Sequence, residues 1–364
     1  MIKINNYFNT DYFSVLPEGG IIEKCASSIK RKDIHNSRVL IIAPCLIGDF
    51  VATLPAIFDY MERNKSNTFD VVVTPVLKSL VKKVLGVHRV YIAKSMSERK
   101  VEDHNLINNI HAQYEKVMIL RSSRDVLRNV IPYIEAREVV TVTKQVAKYG
   151  GVDLFKNLVL RRRPTQWRDF NFHLLGGKPR HIDIKEILDI KDEDFDFIKN
   201  LQEFSNDRKN IIIHTGASWP MMSWPKERWV HFLQKVENEK YNFIFVGSSK
   251  DKETYDYISS HLNIKPVSLI GKTNMFELIL LFLKADLFVG IDSGPGNVAH
   301  FVGLQSIVLY GPGPHTFMSY LEGDIIIDKS NGRGLYQRFF LKKKGFIHKI
   351  TVEEVCNAFC SVLK

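Results

Sequence analysis

The sequence predicts an α/β protein made of two Rossmann-like domains whose parallel sheets face each other across a cleft. Three observations predict it. Apolar strand-length runs alternate with helical segments in two separate series, 38–142 and 210–310. The strands are near-continuous apolar stretches, such as Val39-Leu40-Ile41-Ile42 and Leu287-Phe288-Val289, as expected when helices cover both faces of a sheet. A chain of 364 residues, 45% of them hydrophobic, can furnish two cores.

The first 37 residues precede the first strong strand, have weak periodicity and are read as an N-terminal extension. The first series then runs as strand 38–44, helix 50–64, strand 69–74, helix 76–85, and strands 89–93, 116–120 and 139–142. Residues 144–185 break this rhythm with Arg161-Arg162-Arg163-Pro164 and Gly176-Gly177, and the domain connection falls near 180–208. The second series places strands at 210–215, 242–247, 267–270, 287–291 and 305–310. A terminal helix at Thr351–Leu363 could cross back onto the first domain. The predicted organisation is therefore extension 1–37, first domain 38–185, second domain 205–345 and terminal helix 346–364. Within the connection, Asp192-Glu193-Asp194-Phe195-Asp196 has the Asp-x-Asp spacing of a metal site. It lies in Lys191–Leu201, however, read as an amphipathic helix with Phe195, Ile198 and Leu201 inward, and acidic residues at such a start complement the helix dipole. No metal site is read there or elsewhere: the twelve histidines show no i,i+4 pair beside a carboxylate.

Charge is unevenly distributed. Residues 1–180 hold 29 Lys and Arg against 17 Asp and Glu, while 181–364 hold 22 against 23. A basic half beside a neutral one points to an anionic partner handled by the first half. Nucleic acid is not that partner, because no zinc-finger, RNP or helix-turn-helix pattern accompanies the charge. No run reaches the ~20 apolar residues of a membrane span, and MIKINNYFNTDYF lacks the basic start and apolar block of a secretory signal. Four scattered cysteines (Cys25, Cys45, Cys356, Cys360) fit a reducing cytoplasm, with Cys356 and Cys360 read as buried thiols one helical turn apart.

Three strands run into small-residue turns that open helices. Arg38–Pro44 leads to Cys45-Leu46-Ile47-Gly48-Asp49. Ile211-Ile212-Ile213-His214 leads to Thr215-Gly216-Ala217-Ser218, with Trp224-Pro225-Lys226 beyond. Leu287–Ile291 leads to Asp292-Ser293-Gly294-Pro295-Gly296-Asn297-Val298-Ala299-His300. Glycines there allow close backbone approach, and the helix that follows aims unpaired N–H groups and its positive dipole end at an anion such as a diphosphate. In this order the three elements resemble the ADP-heptose:lipopolysaccharide heptosyltransferases of glycosyltransferase family 9. That family shows an Ile-Gly-Asp turn, a Gly-Ala-Ser turn and a late Asp-Ser-Gly-x-x-x-x-Ala-His, and the resemblance covers about Arg38 to Gly313.

The resemblance implies the GT-B fold and an inverting, metal-independent sugar transfer without a cofactor. The donor would be a nucleotide-diphosphate sugar, ADP-heptose, or another sugar such as an N-acetylhexosamine. The acceptor would be an anionic bacterial surface glycolipid or glycan such as the lipopolysaccharide inner core, met on the cytoplasmic face with peripheral contact to the inner membrane. Alternatives are another sugar-nucleotide enzyme of this architecture, an epimerase, and an inactive nucleotide-sugar-binding partner in glycan assembly.

Asp49, past the end of a strand where open α/β sheets meet ligands, is either the general base or the N-cap of a helix from Phe50, and the resemblance favours the base. Thr215, Ser218, Ser293, Gly294 and Gly296 supply hydroxyls and N–H groups to the diphosphate, and Asp292 orients the loop or the sugar. His300 is either a phosphate-facing donor or a packing residue. Asp251 either accepts from the ribose hydroxyls, where relatives usually carry Glu, or caps the helix from Lys252. Relatives commonly place Lys where this chain has Met222, so Lys226, Arg228 or Lys250 must substitute, or the donor preference or activity differs. Lys78, Arg121 and Arg124, after strands of the basic half, are read as acceptor-binding.

Overall fold

The computed structural model describes residues 28–43, 46–93, 110, 113–120, 130–141, 167–201, 204, 207–216, 222–311, 323–329 and 345–363. The chain divides into two compact units, residues 1–189 and 190–364.

The first unit holds six strands: β1 (Lys30–Arg31), β2 (Arg38–Ile42), β3 (Thr68–Val73), β4 (Val87–Ile92), β5 (Gln113–Ile119) and β6 (Glu135–Thr141). They form one sheet in the order β1-β6-β5-β2-β3-β4, and every pairing is parallel. Leu40, Ile42, Val72, Val117 and Ile119 are fully buried on one face, and Val39, Ile41, Val71 and Met118 are buried on the other, so both faces are covered as the apolar runs predict. Two departures from the sequence reading stand out. Residues 30–31, expected in a separate extension, belong to the sheet: β1 pairs with β6, and Lys32 binds Glu135 at 2.7 Å. A two-residue Lys-Arg strand carries no hydrophobic period to betray it. The helix expected at 76–85 shrinks to a turn at Pro75–Leu77 and a short helix at Lys78–Val81, because the chain then bridges Val84 to Leu188 and turns at Gly86, whose φ is 84°.

Polar groups fasten the N-terminal ends of these strands. Asp70 of β3, whose side chain is fully buried, accepts from Arg38 of β2 at 2.8 Å and from Tyr114 of β5 at 3.0 Å, and lies 3.2 Å from His88 of β4. Burial first, and then the Asp70 charge, push the Tyr114 phenol far above its ordinary range.

The sequence predicts a long helix after β2, and α1 (Ile47–Arg63) is it. It packs against α2 (Trp167–Leu174). Asp59 of α1 accepts from Arg63 and from Arg180, both at 2.8 Å. Burial works against this carboxylate, but the two arginines prevail and hold it below its usual range.

The second unit has a matching sheet in the order β12-β11-β10-β7-β8-β9, also wholly parallel. Its strands are β7 (Lys209–His214), β8 (Tyr241–Phe245), β9 (Val267–Ser268), β10 (Leu287–Ile291), β11 (Ser306–Tyr310) and β12 (Ile325–Asp328). β12 is an edge strand that the sequence reading did not assign. The helices are α3 (Lys226–Val236), α4 (Lys252–Ser259), α5 (Met275–Leu283), α6 (Gly294–Val302) and α7 (Val352–Val362). The segment expected as one helix over 191–201 is a 3₁₀ turn at Asp192–Phe195 followed by a single turn at Asp196–Lys199, with Ile198 buried.

α7, which the sequence reading allowed to cross onto the first domain, has its buried face in the second unit. Val355, Ala358 and Phe359 join the core cluster that contains Trp224, Trp229 and Phe232. Phe359 sets ring contacts with Phe232 at 5.7 Å and Tyr241 at 5.3 Å, and α7 also packs on α3, β11 and β12. Cys356 on this helix is half-buried and Cys360 exposed, so only the first resembles the buried thiol expected of both.

Phe359→Ala should destabilise the second unit by about 3–5 kcal/mol, the usual effect of deleting a buried aromatic ring. Denaturant titration followed by the fluorescence of Trp224 and Trp229 measures it. Loss of less than about 1 kcal/mol would show that α7 is not part of this core.

Candidate functional site

In the second unit the site residues stand where parallel strands end, the edge at which open α/β sheets bind ligands. β7 stops at His214 and β10 at Ile291, with His214 and Gly290 directly paired. A Cβ on Gly290 would collide with the Phe288 ring and approach the His214 carbonyl oxygen at 3.0 Å, so the close strand approach requires glycine. The turns that follow, Thr215-Gly216 and Asp292-Ser293, therefore lie on neighbouring strands. Thr215 is buried and Asp292 half-buried.

Ser293 is the N-cap of α6 and accepts the Gly296 N–H at 3.3 Å. Asn297 donates to the Ser293 carbonyl at 2.8 Å. Pro295 has no N–H, and its fixed φ suits a first helical turn. The cap uses a lone pair of the Ser293 hydroxyl and leaves its proton to donate. This nine-residue helix thus presents Ser293, Gly294 and its dipole's positive end at the sheet edge.

His300 sits elsewhere. It lies in the last turn of α6, about 10 Å along the axis from the cap at 1.5 Å per residue. Its Nδ1 is 2.9 Å from Asp324 Oδ2, the two side chains being 6% and 0% exposed. Asp324 also accepts from the Ser306 N–H at the start of β11.

Asp251 does not cap the helix from Lys252 with its side chain. Its Oδ2 accepts from the Ser248 N–H at 2.7 Å and the Ser248 hydroxyl at 3.0 Å, closing the turn that precedes α4. The carboxylate lies over Gly216 and Gly247, and a Cβ at either glycine would overlap it. Asp251 is therefore locked over the ends of β7 and β8, half-buried. Beneath it is His214, the last residue of β7, which no local sequence pattern marks as a site residue. Burial pushes the His214 imidazole down to about 4, with the Asp251 charge acting in the opposite sense. Its Nδ1 is buried with no hydrogen-bond partner among the described residues.

The cations near Met222 are largely engaged. Arg228 donates to the His348 and Ile350 carbonyls, both at 2.6 Å, and so serves the C-terminal segment. Lys226 rests its Nζ 4.1 Å from the centroid of the Tyr257 ring on α4. Lys250 is exposed beside Asp251. Met222 lies against Gly311, just past β11.

In the first unit, α1 begins at Ile47 with Leu46 as N-cap, three residues earlier than expected. Asp49 is thus the third residue of the helix and not its cap, half-buried just beyond the end of β2. A carboxylate in a first turn still meets the positive end of the dipole. Lys78 is exposed after the end of the neighbouring β3. Leu46 and Val76, 50% and 48% exposed, occupy the same two strand-to-helix turns. Ser218, Arg121 and Arg124 lie outside the described residues. Among the described residues no group of three or more His, Cys, Asp or Glu could hold a metal ion.

The His214 shift sets a pH dependence. A histidine whose folded pKa lies below its unfolded value near 6.5 takes up protons more readily when unfolded, so stability is complete above about 6.5 and falls as pH drops toward 4. Thermal melts of the full chain at pH 7.5 and 4.5 should differ by several degrees, and His214→Asn should narrow that difference. An unchanged difference would show that His214 is not its source.

Residues 176–332 match the family described as glycosyltransferase family 9 (heptosyltransferase). A stretch of 125 residues is 30% identical to the lipopolysaccharide core heptosyltransferase OpsX of Haemophilus influenzae, covering 34% of this chain and only 35% of that relative. The structure resembles Escherichia coli ADP-heptose lipopolysaccharide heptosyltransferase II with a TM-score of 0.63 and 19% identity over 90% of this chain and 98% of that one. It resembles E. coli heptosyltransferase WaaC with ADP with a TM-score of 0.66 and 15% identity over 89% and 99%. These likenesses establish the fold class, GT-B, for two units that each carry a six-stranded parallel sheet. Over residues 176–332 the chain is thus similar to glycosyltransferase family 9 (heptosyltransferase).

Proposed function

We propose that the chain is an inverting, metal-independent glycosyltransferase. It transfers heptose from ADP-heptose to an anionic glycolipid or glycan acceptor of the lipopolysaccharide inner-core type. The observation that carries this reading is the α6 start, where Ser293 and Gly294 stand at the sheet edge next to Gly216 and the locked Asp251, all inside the family 9 match. The charged diphosphate of the donor meets the helix dipole and the Ser293 hydroxyl, and the Asp251 carboxylate is placed to accept from ribose hydroxyls. Asp49 takes the proton of the acceptor hydroxyl as its oxygen attacks the anomeric carbon, and the bond to the diphosphate breaks with the electron pair leaving on the diphosphate. The reaction draws on no cofactor, since the nucleotide sugar is a substrate.

Lys78 and the basic first unit serve the phosphates and carboxylates of the acceptor. We place the enzyme in the cytoplasm, in peripheral contact with the inner membrane; among the described residues no helix is long and apolar enough to cross one. Met222 favours a second reading, a nucleotide-sugar-binding partner without turnover. Titration calorimetry with ADP and ADP-heptose, followed by a product assay, separates the two: binding without product favours the partner.

Asp49→Asn keeps the size of the side chain but cannot take a proton. Turnover should fall roughly 10²–10⁴-fold while ADP binding and melting temperature stay near wild type, because Asp49 is not the helix cap. Near-normal turnover would place the base elsewhere.

Raising salt from 50 to 500 mM should raise the acceptor KM severalfold and leave the donor KM little changed, since attraction to exposed charge is screened. Equal sensitivity of both substrates would overturn the division of labour between a basic acceptor side and a neutral donor side.

A further inference from the structure

α1 contains Pro55, two turns beyond its start. Proline has no N–H for the carbonyl four residues back, that of Val51, and its ring crowds that carbonyl. The turn carrying Asp49 is therefore joined to the rest of the helix through a weakened segment.

A buried hydrogen-bond chain lies on the Asp49 side of that segment and ties it to α2. Asn171 of α2 donates its Nδ2 to Thr53 Oγ1 at 3.0 Å, with the Ala52 carbonyl 3.4 Å away. Thr53 Oγ1 donates onward to the Asp49 carbonyl at 2.7 Å. Asn171 and Thr53 are each 2% exposed. A hydroxyl has a single proton, so with that proton on Asp49 its oxygen must accept, and the Asn171 amide supplies the donor. α2 is itself fixed to α1 farther along, where Arg63 donates to the Leu175 carbonyl at 2.9 Å.

We propose that Asn171 and Thr53 are positioning residues for Asp49. Neither needs to touch substrate. By holding the carbonyl of residue 49 they fix its peptide plane, and with it the direction in which the Asp49 side chain leaves the helix, on the N-terminal side of the break at Pro55. The proposal rests on reading Asp49 as the base.

Thr53→Val removes the hydroxyl at constant shape, and Thr53→Ser retains it. On the full chain without ligand, amide hydrogen exchange over residues 50–54 should be about tenfold faster in Thr53→Val and near wild type in Thr53→Ser. With ADP-heptose and a Kdo-bearing lipid A acceptor, Thr53→Val should lower kcat roughly 10–100-fold, the scale of a small misplacement at a reacting group. Donor KM should not change, and Thr53→Ser should restore most of kcat. In an Asp49→Asn background, Thr53→Val should slow residual turnover no further, since residues acting through one group are not additive. Should Thr53→Val fail to fold, Asn171→Ser carries the same expectations.

Unchanged exchange, unchanged kcat, or an equal loss in the Asp49→Asn background would overturn the positioning role. Near-normal turnover of Asp49→Asn alone would instead overturn the base assignment, and the positioning role with it.

Discussion

The pairing of His214 with Gly290 decides where the candidate site residues of the second unit stand. β7 and β10 run side by side to this pair, where glycine at 290 leaves room for the Phe288 ring of its own strand and stands close to the His214 carbonyl. They consequently stop together, and the two turns beyond them open at one level of the sheet. To one side Ser293 starts α6; to the other Asp251 folds back from β8 over Gly216. A register slip of one residue would exchange the faces of the strand, driving polar groups into a core where Ile211, Ile213, Val289 and Ile291 are fully buried. The site is thus a consequence of where apolar strands end.

Both units place their structural polar chemistry at the opposite, N-terminal edges of their sheets. In the first, Asp70 collects Arg38, Tyr114 and His88 from three neighbouring strands. In the second, Asp324 takes the Ser306 N–H and faces His300 from the far end of α6. Such buried charges are expensive to leave unpaired, and removing one partner typically costs about 3–5 kcal/mol. They are also the kind of perturbed, clustered groups that attract functional readings. Their place in the sheet argues otherwise, because ligands of open α/β sheets meet the carboxyl ends of strands.

This separation explains what was legible in the sequence. Both parallel sheets were, since β2, β7, β10 and β11 are built on apolar runs, as is Val71–Val73 of β3, with helices between them. The three turns were also legible, because glycine beside serine or aspartate after a strand is a local signal. The short charged β1 was not, nor was the edge strand β12. Asp49 could be seen at a helix start, but its rank within the first turn could not, because Leu46 forms the cap through its backbone without a polar side chain. The pairing of His300 with Asp324 and the chain from Asn171 to Asp49 join residues far apart in sequence, and no local pattern announces them. Arg228 shows the reverse error. Its charge and position near Met222 suited a diphosphate, while its hydrogen bonds go to the carbonyls of His348 and Ile350.

That engagement of Arg228 bears on how a donor would be held. Residues 181–364 carry one more acidic than basic residue, against an excess of twelve basic residues in 1–180. Around Met222, Arg228 is bound to carbonyls and Lys226 lies on Tyr257. At the α6 start the described residues present oriented dipoles: the Ser293 hydroxyl, the first-turn N–H groups and a helix end equivalent to roughly half a positive charge. Dipoles act over short range and reward orientation, whereas a field of net positive charge acts over a Debye length and rewards approach. On the proposed reading, the dipoles of the second unit fix the geometry of a diphosphate already at hand. On the same reading, the basic first unit gathers an anionic acceptor from a distance.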